Sequence, residues 1–146
     1  MKTQRLYLAH PFDRRHEIRL KELIFEKETG IELVNPFYDV NRDDMELIDK
    51  GLMPPRRADK ERGKSIVTGD LKLINSCDGI LANYNKNDFS IGTPMEIFYN
   101  HYVLKHPGYL ITDSKDVSGH PWITENINKS FENYDKFADY IKQKHL

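Results

Sequence analysis

Short apolar runs alternate along the chain with longer segments in which apolar residues recur at helical spacing. The apolar runs predict buried strands over residues 6–9, 31–34, 79–83 and 109–112, with a weaker fifth strand near 127–131. The longer segments predict helices over about 13–29, 58–76 and 133–144, with another from within 90–96 to about 105. Residues 39–55 form a long polar connection with one short helical turn near 45–48. In the first helix, the apolar residues expected to face the core are Ile18, Leu20, Leu23 and Ile24.

This alternation of strand and helix favours a parallel sheet with helices on both faces. Residues 1–146 are therefore predicted to form a single α/β domain. The expected fold is a Rossmann- or flavodoxin-like three-layer sandwich with a central parallel sheet of about five strands. In such sheets ligands bind beyond the carboxyl ends of the strands, near the point where the strand order changes. Three segments follow strands at that edge: residues 10–15, 84–96 and 113–122.

Composition excludes several classes of partner. The 22 Lys and Arg residues are balanced by 23 Asp and Glu residues, so the chain lacks the general basic field that binding to a nucleic acid polymer requires. No apolar run approaches the roughly 20 residues of a membrane span. Cys77 is the only cysteine, which excludes an internal disulfide and is typical of a reducing compartment. We therefore expect a cytoplasmic protein with no membrane partner and a buried, inert Cys77.

The segment 90–96, Ser-Ile-Gly-Thr-Pro-Met-Glu, follows a predicted buried strand and opens a predicted helix. Thr93 and Glu96 have the spacing of a capping box, and Pro94 would occupy the first helical position. Ser90 and Gly92 add a hydroxyl and a flexible backbone at a helix start, an arrangement that suits phosphate oxygens. The segment is predicted to start a helix and is also a candidate phosphate site.

Two carboxylates lie in contexts that suit glycosidic chemistry. Asp70 interrupts a helix that is otherwise periodic in apolar residues, and Glu96 ends the 90–96 segment. A pair of carboxylates can supply the nucleophile and the proton donor for cleavage of a glycosidic bond. On the solvent side of its helix Asp70 would have no such role, and sequence spacing leaves both alternatives open.

Other residues near the predicted ligand edge could hold a substrate. Arg14 and Arg15 stand near a predicted helix start, where they could bind an anion or lie on a solvated helix face. Phe12 and Trp122 could stack on a base or pack in the core. The histidines are scattered without metal-ligand spacing, so we expect neither a metal nor another cofactor.

Four motifs are distributed over most of the chain: Leu-Tyr-Leu-Ala-His-Pro-Phe at 6–12, Gly-Asp-Leu at 69–71, Cys-Asp-Gly-Ile-Leu-Ala at 77–82, and the 90–96 segment. In this order they resemble the nucleoside 2-deoxyribosyltransferase family, and most closely its 2'-deoxynucleoside 5'-monophosphate N-glycosidase branch. The resemblance implies that Glu96 is the nucleophile that attacks the anomeric carbon. It also implies that Asp70 helps to protonate the departing base or orients the sugar, and that Tyr7 positions Glu96 through its hydroxyl.

Departures from the family pattern bear on the substrate. Transferases of this family that act on free nucleosides carry an acidic residue six positions before the nucleophile, where this chain has Ser90. The monophosphate branch places a serine there against the phosphate, which a carboxylate would repel. Asp88 lies two residues earlier and could reach the sugar hydroxyl by another loop path. The candidate substrate-binding residues are therefore His10, Phe12, Arg14, Arg15, Asp88, Ser90, Gly92 and Trp122.

The resemblance further implies a homodimer or larger homo-oligomer, because subunits of this family often complete one another's sites from the segment that here contains residues 120–126. The leading functional hypothesis is hydrolysis of a (deoxy)nucleoside 5'-monophosphate through a covalent glycosyl-Glu96 intermediate. A second hypothesis is exchange of bases between deoxynucleosides. A third is a nucleotide-binding or sensing module that has the fold without the chemistry.

Overall fold

A five-stranded sheet in the order β2-β1-β3-β4-β5, with every neighbouring pair parallel, organises the chain. The structure is a computed structural model that describes residues 4–40, 43–53 and 57–144. The strands are β1 (Arg5–Ala9), β2 (Glu32–Val34), β3 (Gly79–Asn83), β4 (Gly108–Ile111) and β5 (Lys129–Phe131). All five lie at or within a few residues of the segments that the apolar runs predict.

The described part of the chain has seven α-helices, six between strands and one after β5. They are α1 (Arg15–Thr29), α2 (Asp43–Asp49), α3 (Lys60–Asn75), α4 (Gly92–Phe98), α5 (Lys115–Ser118), α6 (Pro121–Asn126) and α7 (Tyr134–Lys144). A turn of 3-10 helix, Phe12–Arg14, precedes α1, and a π-helical turn, Tyr99–Val103, continues α4. The segment between β4 and β5, for which the sequence pattern predicted no helix, contains the two short helices α5 and α6.

Helices cover both faces of the sheet, which confirms the predicted three-layer α/β fold. Leu6 and Leu8 of β1 pack into a core with α1 and α7. Tyr7 and Ala9, whose side chains alternate with them, pack into a second core with α3, α4, α5 and α6. The strand order changes direction at β1, because β2 lies on one side of it and β3 on the other. The carboxyl end of β1 is therefore where a ligand site is expected.

The buried face of α1 differs from the prediction. Leu20, Leu23 and Ile24 are exposed, and the residues that face the sheet are Ile18, Glu22 and Phe25 at positions i, i+4 and i+7. Of the four predicted residues only Ile18 is buried, because hydrophobicity alone does not identify a glutamate such as Glu22 as part of the buried face. That carboxylate is buried instead, since it has hydrogen-bonding partners inside the protein.

Candidate active site

A cleft with a volume of about 240 Å³ opens beyond the carboxyl end of β1. Its floor is formed by Tyr7 of β1 and Glu96 of α4, and Asp70 of α3 contributes to the same lining. The other described residues that line it are His10, Phe12, Pro36, Phe37, Ile48, Ile66, Phe89, Ser90, Ile91, Gly92 and Thr93. The structure thus brings together all three residues that the sequence proposed for catalysis.

Tyr7 and Glu96 form a short hydrogen bond at the floor of the cleft. The Tyr7 hydroxyl donates to Glu96 Oε2 at 2.5 Å, and Tyr7 is 1% exposed. Because Tyr7 is held in the sheet, it gives the Glu96 carboxylate a fixed direction. The bond is made to one carboxylate oxygen, Oε2, so the group can be oriented at one oxygen and react at the other.

Burial raises the pKa of Glu96 to about 8. The hydrogen bond from Tyr7 acts in the opposite direction, and the negative charge of Asp70 adds to the increase. Both carboxylates line the same cleft, in agreement with this effect of Asp70 on the Glu96 pKa. A pKa perturbed in this way, in a cleft, is typical of catalytic groups.

The start of α4 is not the predicted capping box. The helix begins at Gly92, and Ser90 Oγ accepts a hydrogen bond from the Thr93 amide at 3.2 Å and shares another with Thr93 Oγ1 at 2.7 Å. Pro94 is the third helical residue rather than the first. The capping-box prediction is wrong because Glu96 accepts a hydrogen bond from Tyr7. The side chain that accepts from a backbone N–H at the helix start is Ser90, not Thr93. Ser90 thus contributes to the helix start, whereas Glu96 contributes to the cleft.

His10 forms part of the opposite wall as a neutral imidazole. Its Nδ1 lies 2.9 Å from the Leu8 carbonyl oxygen, which can only accept, so Nδ1 carries the proton. Burial lowers the pKa of His10 to about 4, because the charged form would lose its hydration. The ring packs edge-on against Phe37, and Phe12 packs edge-on against the same ring. This aromatic wall suits the flat face of a base.

Arg14 and Asp88 do not line the cleft in this chain. Arg14 Nε and Nη2 donate to the two carboxylate oxygens of Asp88 at 2.8 and 2.6 Å, and Nη2 also donates to Asn83 Oδ1 at 2.9 Å. The Asp88 carboxylate accepts from the Asn85 amide as well. Such a bidentate pair fixes the loop after β3. Binding of phosphate by Arg14 would require exchange of this partner.

Arg15 and Trp122 also lie outside the cleft lining. Arg15 donates to Asp49 Oδ1 at 2.7 Å and to the Phe12 carbonyl at 3.0 Å, and its guanidinium lies over the Phe12 ring. Trp122 lies on α6 with 68% exposure, near the ring of Phe98. Arg15 can act on the site through Phe12, whereas Trp122 has no contact with this cleft among the described residues.

Several residues of the cleft were not found from the sequence. They are Pro36, Phe37, Ile48, Ile66 and Phe89. Pro36 and Phe37 directly follow β2, so the rule that ligands bind beyond the carboxyl ends of strands could have selected them. Ile48 and Ile66 carry no such signal, because their place depends on how α2 and α3 pack.

The cleft continues along α3 into a larger cavity of about 590 Å³, and both linings include Ile66 and Asp70. In the described ranges no group of three or more His, Cys, Asp or Glu side chains could hold a metal ion. None of the described helices is long and apolar enough to cross a membrane.

Fold and cleft define a class: a parallel α/β sandwich with a tyrosine-held glutamate and a second carboxylate beyond the carboxyl end of the central strands. No protein-family model matches the sequence, and the search of curated proteins gives no match. Solved structures do match. A 2-deoxyribosyltransferase from Bacillus psychrosaccharolyticus has a TM-score of 0.67 and 20% identity, over 93% of this chain and 91% of that one.

Two further structures extend the comparison. A conserved protein from Enterococcus faecalis V583 has a TM-score of 0.68 and 16% identity, over 98% of this chain and 99% of that one. The CMP N-glycosidase BcmB from Clostridium botulinum has a TM-score of 0.51 and 15% identity, over 96% and 99%. At these identities the matches establish a shared fold, which is the fold that the sequence motifs implied.

Proposed function

We propose that this protein cleaves the N-glycosidic bond of a (deoxy)nucleoside 5'-monophosphate and releases the free base and the sugar 5-phosphate. The observation that carries the proposal is the 2.5 Å hydrogen bond between Tyr7 and Glu96 at the floor of a cleft that Asp70 also lines. Support also comes from the shared fold, since one protein with this fold is a 2-deoxyribosyltransferase and another is a CMP N-glycosidase.

In the proposed reaction the ionised Glu96 carboxylate attacks the anomeric carbon through the oxygen that does not bond Tyr7. The bond from that carbon to the base nitrogen breaks, and its electron pair leaves with the base. Asp70 directs a proton from water to the departing base, because a neutral base leaves more readily than an anion. Water then attacks the anomeric carbon of the glycosyl ester, which regenerates the Glu96 carboxylate.

The 5' end of the substrate is assigned to the start of α4. Ser90 lies in the cleft lining with a hydroxyl rather than a carboxylate, so it does not repel a phosphate. Gly92 leaves the backbone accessible there, since nothing lies within 4 Å of the position where its Cβ would stand. These two residues, with His10 and Phe12 on the opposite wall, are the proposed substrate contacts.

Base exchange between deoxynucleosides is a second candidate, and one observation favours it. The described residues that line the cleft include neither lysine nor arginine. A dianionic phosphate gains most from a cationic partner, whereas a 5'-hydroxyl needs none. The two candidates share the Glu96 intermediate and differ in the 5' end and in the acceptor, which is water or a second base.

The experiment uses purified protein with matched panels of nucleosides and 5'-monophosphates, each with and without a foreign free base, and follows base release by chromatography. Glu96→Gln is expected to lower turnover by at least about 1,000-fold, and Glu61→Gln, an exposed position on α3, serves as the matched control. Release from monophosphates without exchange supports the first candidate, and exchange product supports the second. Binding without turnover in the wild type would leave only a nucleotide-binding module and would refute both.

A homodimer is part of this proposal. The outer side of α4 and the π-helical turn carries exposed apolar residues at helical spacing, Ile91, Met95, Phe98 and Tyr102, and Trp122 stands beside Phe98. Ile91 also lines the cleft, so a second copy packed on this stripe would lie at the rim of the site.

Sedimentation of the Met95→Glu variant tests the proposed dimer. A shift to monomer supports the dimer, with Leu20→Glu as a control of equal exposure on α1, and unchanged sedimentation contradicts it.

A further inference from the structure

Glu22 is a carboxylate within the protein interior, remote from the proposed chemistry. It lies on the buried face of α1 between Ile18 and Phe25 and is 0% exposed. A leucine or methionine of similar size would fill this position without the cost of burying a charge. Burial of Glu22 costs free energy, so the hydrogen bonds that it makes inside the protein indicate what it does there.

The bonds of Glu22 lead to the turn that follows β2. Glu22 Oε1 accepts from Asn35 Nδ2 at 2.6 Å, and Asn35 is itself fully buried. Arg19 Nη1 donates to the same Glu22 oxygen at 3.1 Å and to Asp39 Oδ1 at 3.0 Å. The other Asp39 oxygen accepts from the backbone N–H of Asn35 at 2.8 Å. These four residues form a closed ring of hydrogen bonds that includes both ends of the 35–39 turn.

Asn35 connects Glu22 to Phe37, which lines the cleft. Its Oδ1 accepts from the Phe37 amide at 2.9 Å, and its carbonyl accepts from the Asp39 amide at 2.8 Å. Pro36 and Phe37 line the cleft, and the Phe37 ring lies edge-on to His10 with centroids 5.0 Å apart. Glu22, a carboxylate on α1, therefore stabilises the part of the cleft lining that Pro36 and Phe37 form.

We propose that Glu22 is a positioning residue of the site: by holding Asn35, it fixes the turn that presents Phe37 to the bound base. The inference rests on the proposed function for its kinetic consequence, since Phe37 contacts the substrate only if the cleft binds one. Glu22 itself touches no substrate, so its removal is expected to weaken binding more than it slows the chemical step.

The charge of Glu22 is part of this arrangement. Burial raises its pKa to about 7, against the lowering effects of Asn35 and Arg19, and the charge of Asp39 adds to the increase. On α7, Tyr134 is the titratable group that interacts electrostatically with Glu22. Tyr134 stays neutral, because burial raises its pKa above the ordinary value for tyrosine. Protonation of Glu22 weakens the two bonds that it accepts. The 35–39 turn should accordingly loosen as the pH falls below 7.

Amide hydrogen exchange tests this without any need for turnover. In Glu22→Gln, exchange at the Phe37 and Asp39 amides is expected to rise about fivefold, with a larger increase in Glu22→Leu. Glu26→Gln is the matched control one turn along α1, because its carboxylate accepts from the Leu33 amide of β2 rather than from the turn. In the wild type the Phe37 amide shift should titrate with a midpoint near pH 7, and in Glu22→Gln this step should disappear.

Kinetics complete the test. In Glu22→Gln, KM is expected to rise about fivefold while kcat stays within about twofold of the wild type. Unchanged amide exchange in both Glu22 variants would overturn the inference, and so would a fall in kcat at constant KM. Failure of the proposed function has a different signature, because wild-type protein would then release no base while the exchange differences persisted.

Discussion

The Tyr7 hydroxyl and the Glu96 carboxylate lie 2.5 Å apart, although 89 positions separate them in the sequence. Tyr7 comes from β1, an interior strand of the sheet, and Glu96 from the first turns of α4, so the bond joins the sheet to the proposed nucleophile. It also opposes the rise in pKa that burial imposes on Glu96. One contact thus orients the proposed nucleophile and partly offsets the rise in its pKa that burial causes.

The pH dependence of kcat/KM is the first prediction. Because Glu96 must be ionised to attack and its pKa in the free protein is about 8, kcat/KM is expected to rise about tenfold per pH unit below 8 and to level off above it. Initial rates of base release between pH 5.5 and 9.5 measure this. A flat profile across that range would contradict the assignment of Glu96 as the nucleophile.

Replacement of Tyr7 by Phe gives the second prediction. Loss of the hydroxyl removes the hydrogen bond that lowers the Glu96 pKa, so the acid limb of the profile should move to higher pH. At pH 7, kcat/KM is expected to fall about 10- to 100-fold, the range for a hydrogen bond to a charged group. Tyr109→Phe is the control, since Tyr109 is buried in the core on the other face of the sheet. An unshifted limb in Tyr7→Phe would refute the proposed role.

Much of the fold could be predicted because its signals are local. Apolar runs and helical spacing located five strands and the principal helices, and strand-helix alternation implied the parallel sheet. The buried face of α1 could not be read in this way. Glu22 is buried because Asn35 and Arg19 satisfy it, and that fact depends on the packing of β2 against α1.

The sequence selected part of the cleft lining, but Arg14, Arg15, Asp88 and Trp122, which it also selected, lie outside that lining. Asp70, Glu96 and Tyr7 were selected by type and motif, and the structure places them in one lining. The capping-box prediction was wrong because the spacing of Thr93 and Glu96 does not show that Glu96 accepts from Tyr7 instead of from a backbone N–H at the helix start. Phe37 was missed although it directly follows β2, and the place of its ring depends on contacts of the 35–39 turn with α1 that sequence spacing does not record.

The effect of pH on stability is the third prediction. The Glu96 pKa is raised from 4.5 to about 8 in the folded protein, so folding favours the protonated form. That stabilising contribution is complete below pH 4.5 and is lost as the pH rises through 8. At pH 9, Glu96→Gln is expected to exceed the wild type in free energy of unfolding by about 3 kcal/mol, and by much less at pH 5. Urea denaturation at both values measures this, with Glu61→Gln as the control. Equal differences at pH 5 and pH 9 would contradict it.

Two glycines give the last prediction, because the structure assigns them opposite effects. A Cβ on Gly79, the first residue of β3, would lie 2.5 Å from the Pro107 carbonyl oxygen. That oxygen cannot move cheaply, since it accepts from the Ile80 amide and from Asn100 Nδ2. Gly79→Ala is therefore expected to reduce the free energy of unfolding by about 2 kcal/mol.

Gly69 is the counterpart within α3, where nothing lies within 4 Å of its Cβ position. Alanine there restricts the unfolded chain and favours the helix, so Gly69→Ala is expected to add about 0.5 to 1 kcal/mol to the free energy of unfolding. Thermal and urea denaturation of both variants measure the two effects. Destabilisation by Gly69→Ala would mean that α3 packs more closely at this position than the structure shows. A neutral Gly79→Ala would mean that β3 and the turn before β4 can separate, which the parallel pairing of β3 with β1 and β4 opposes.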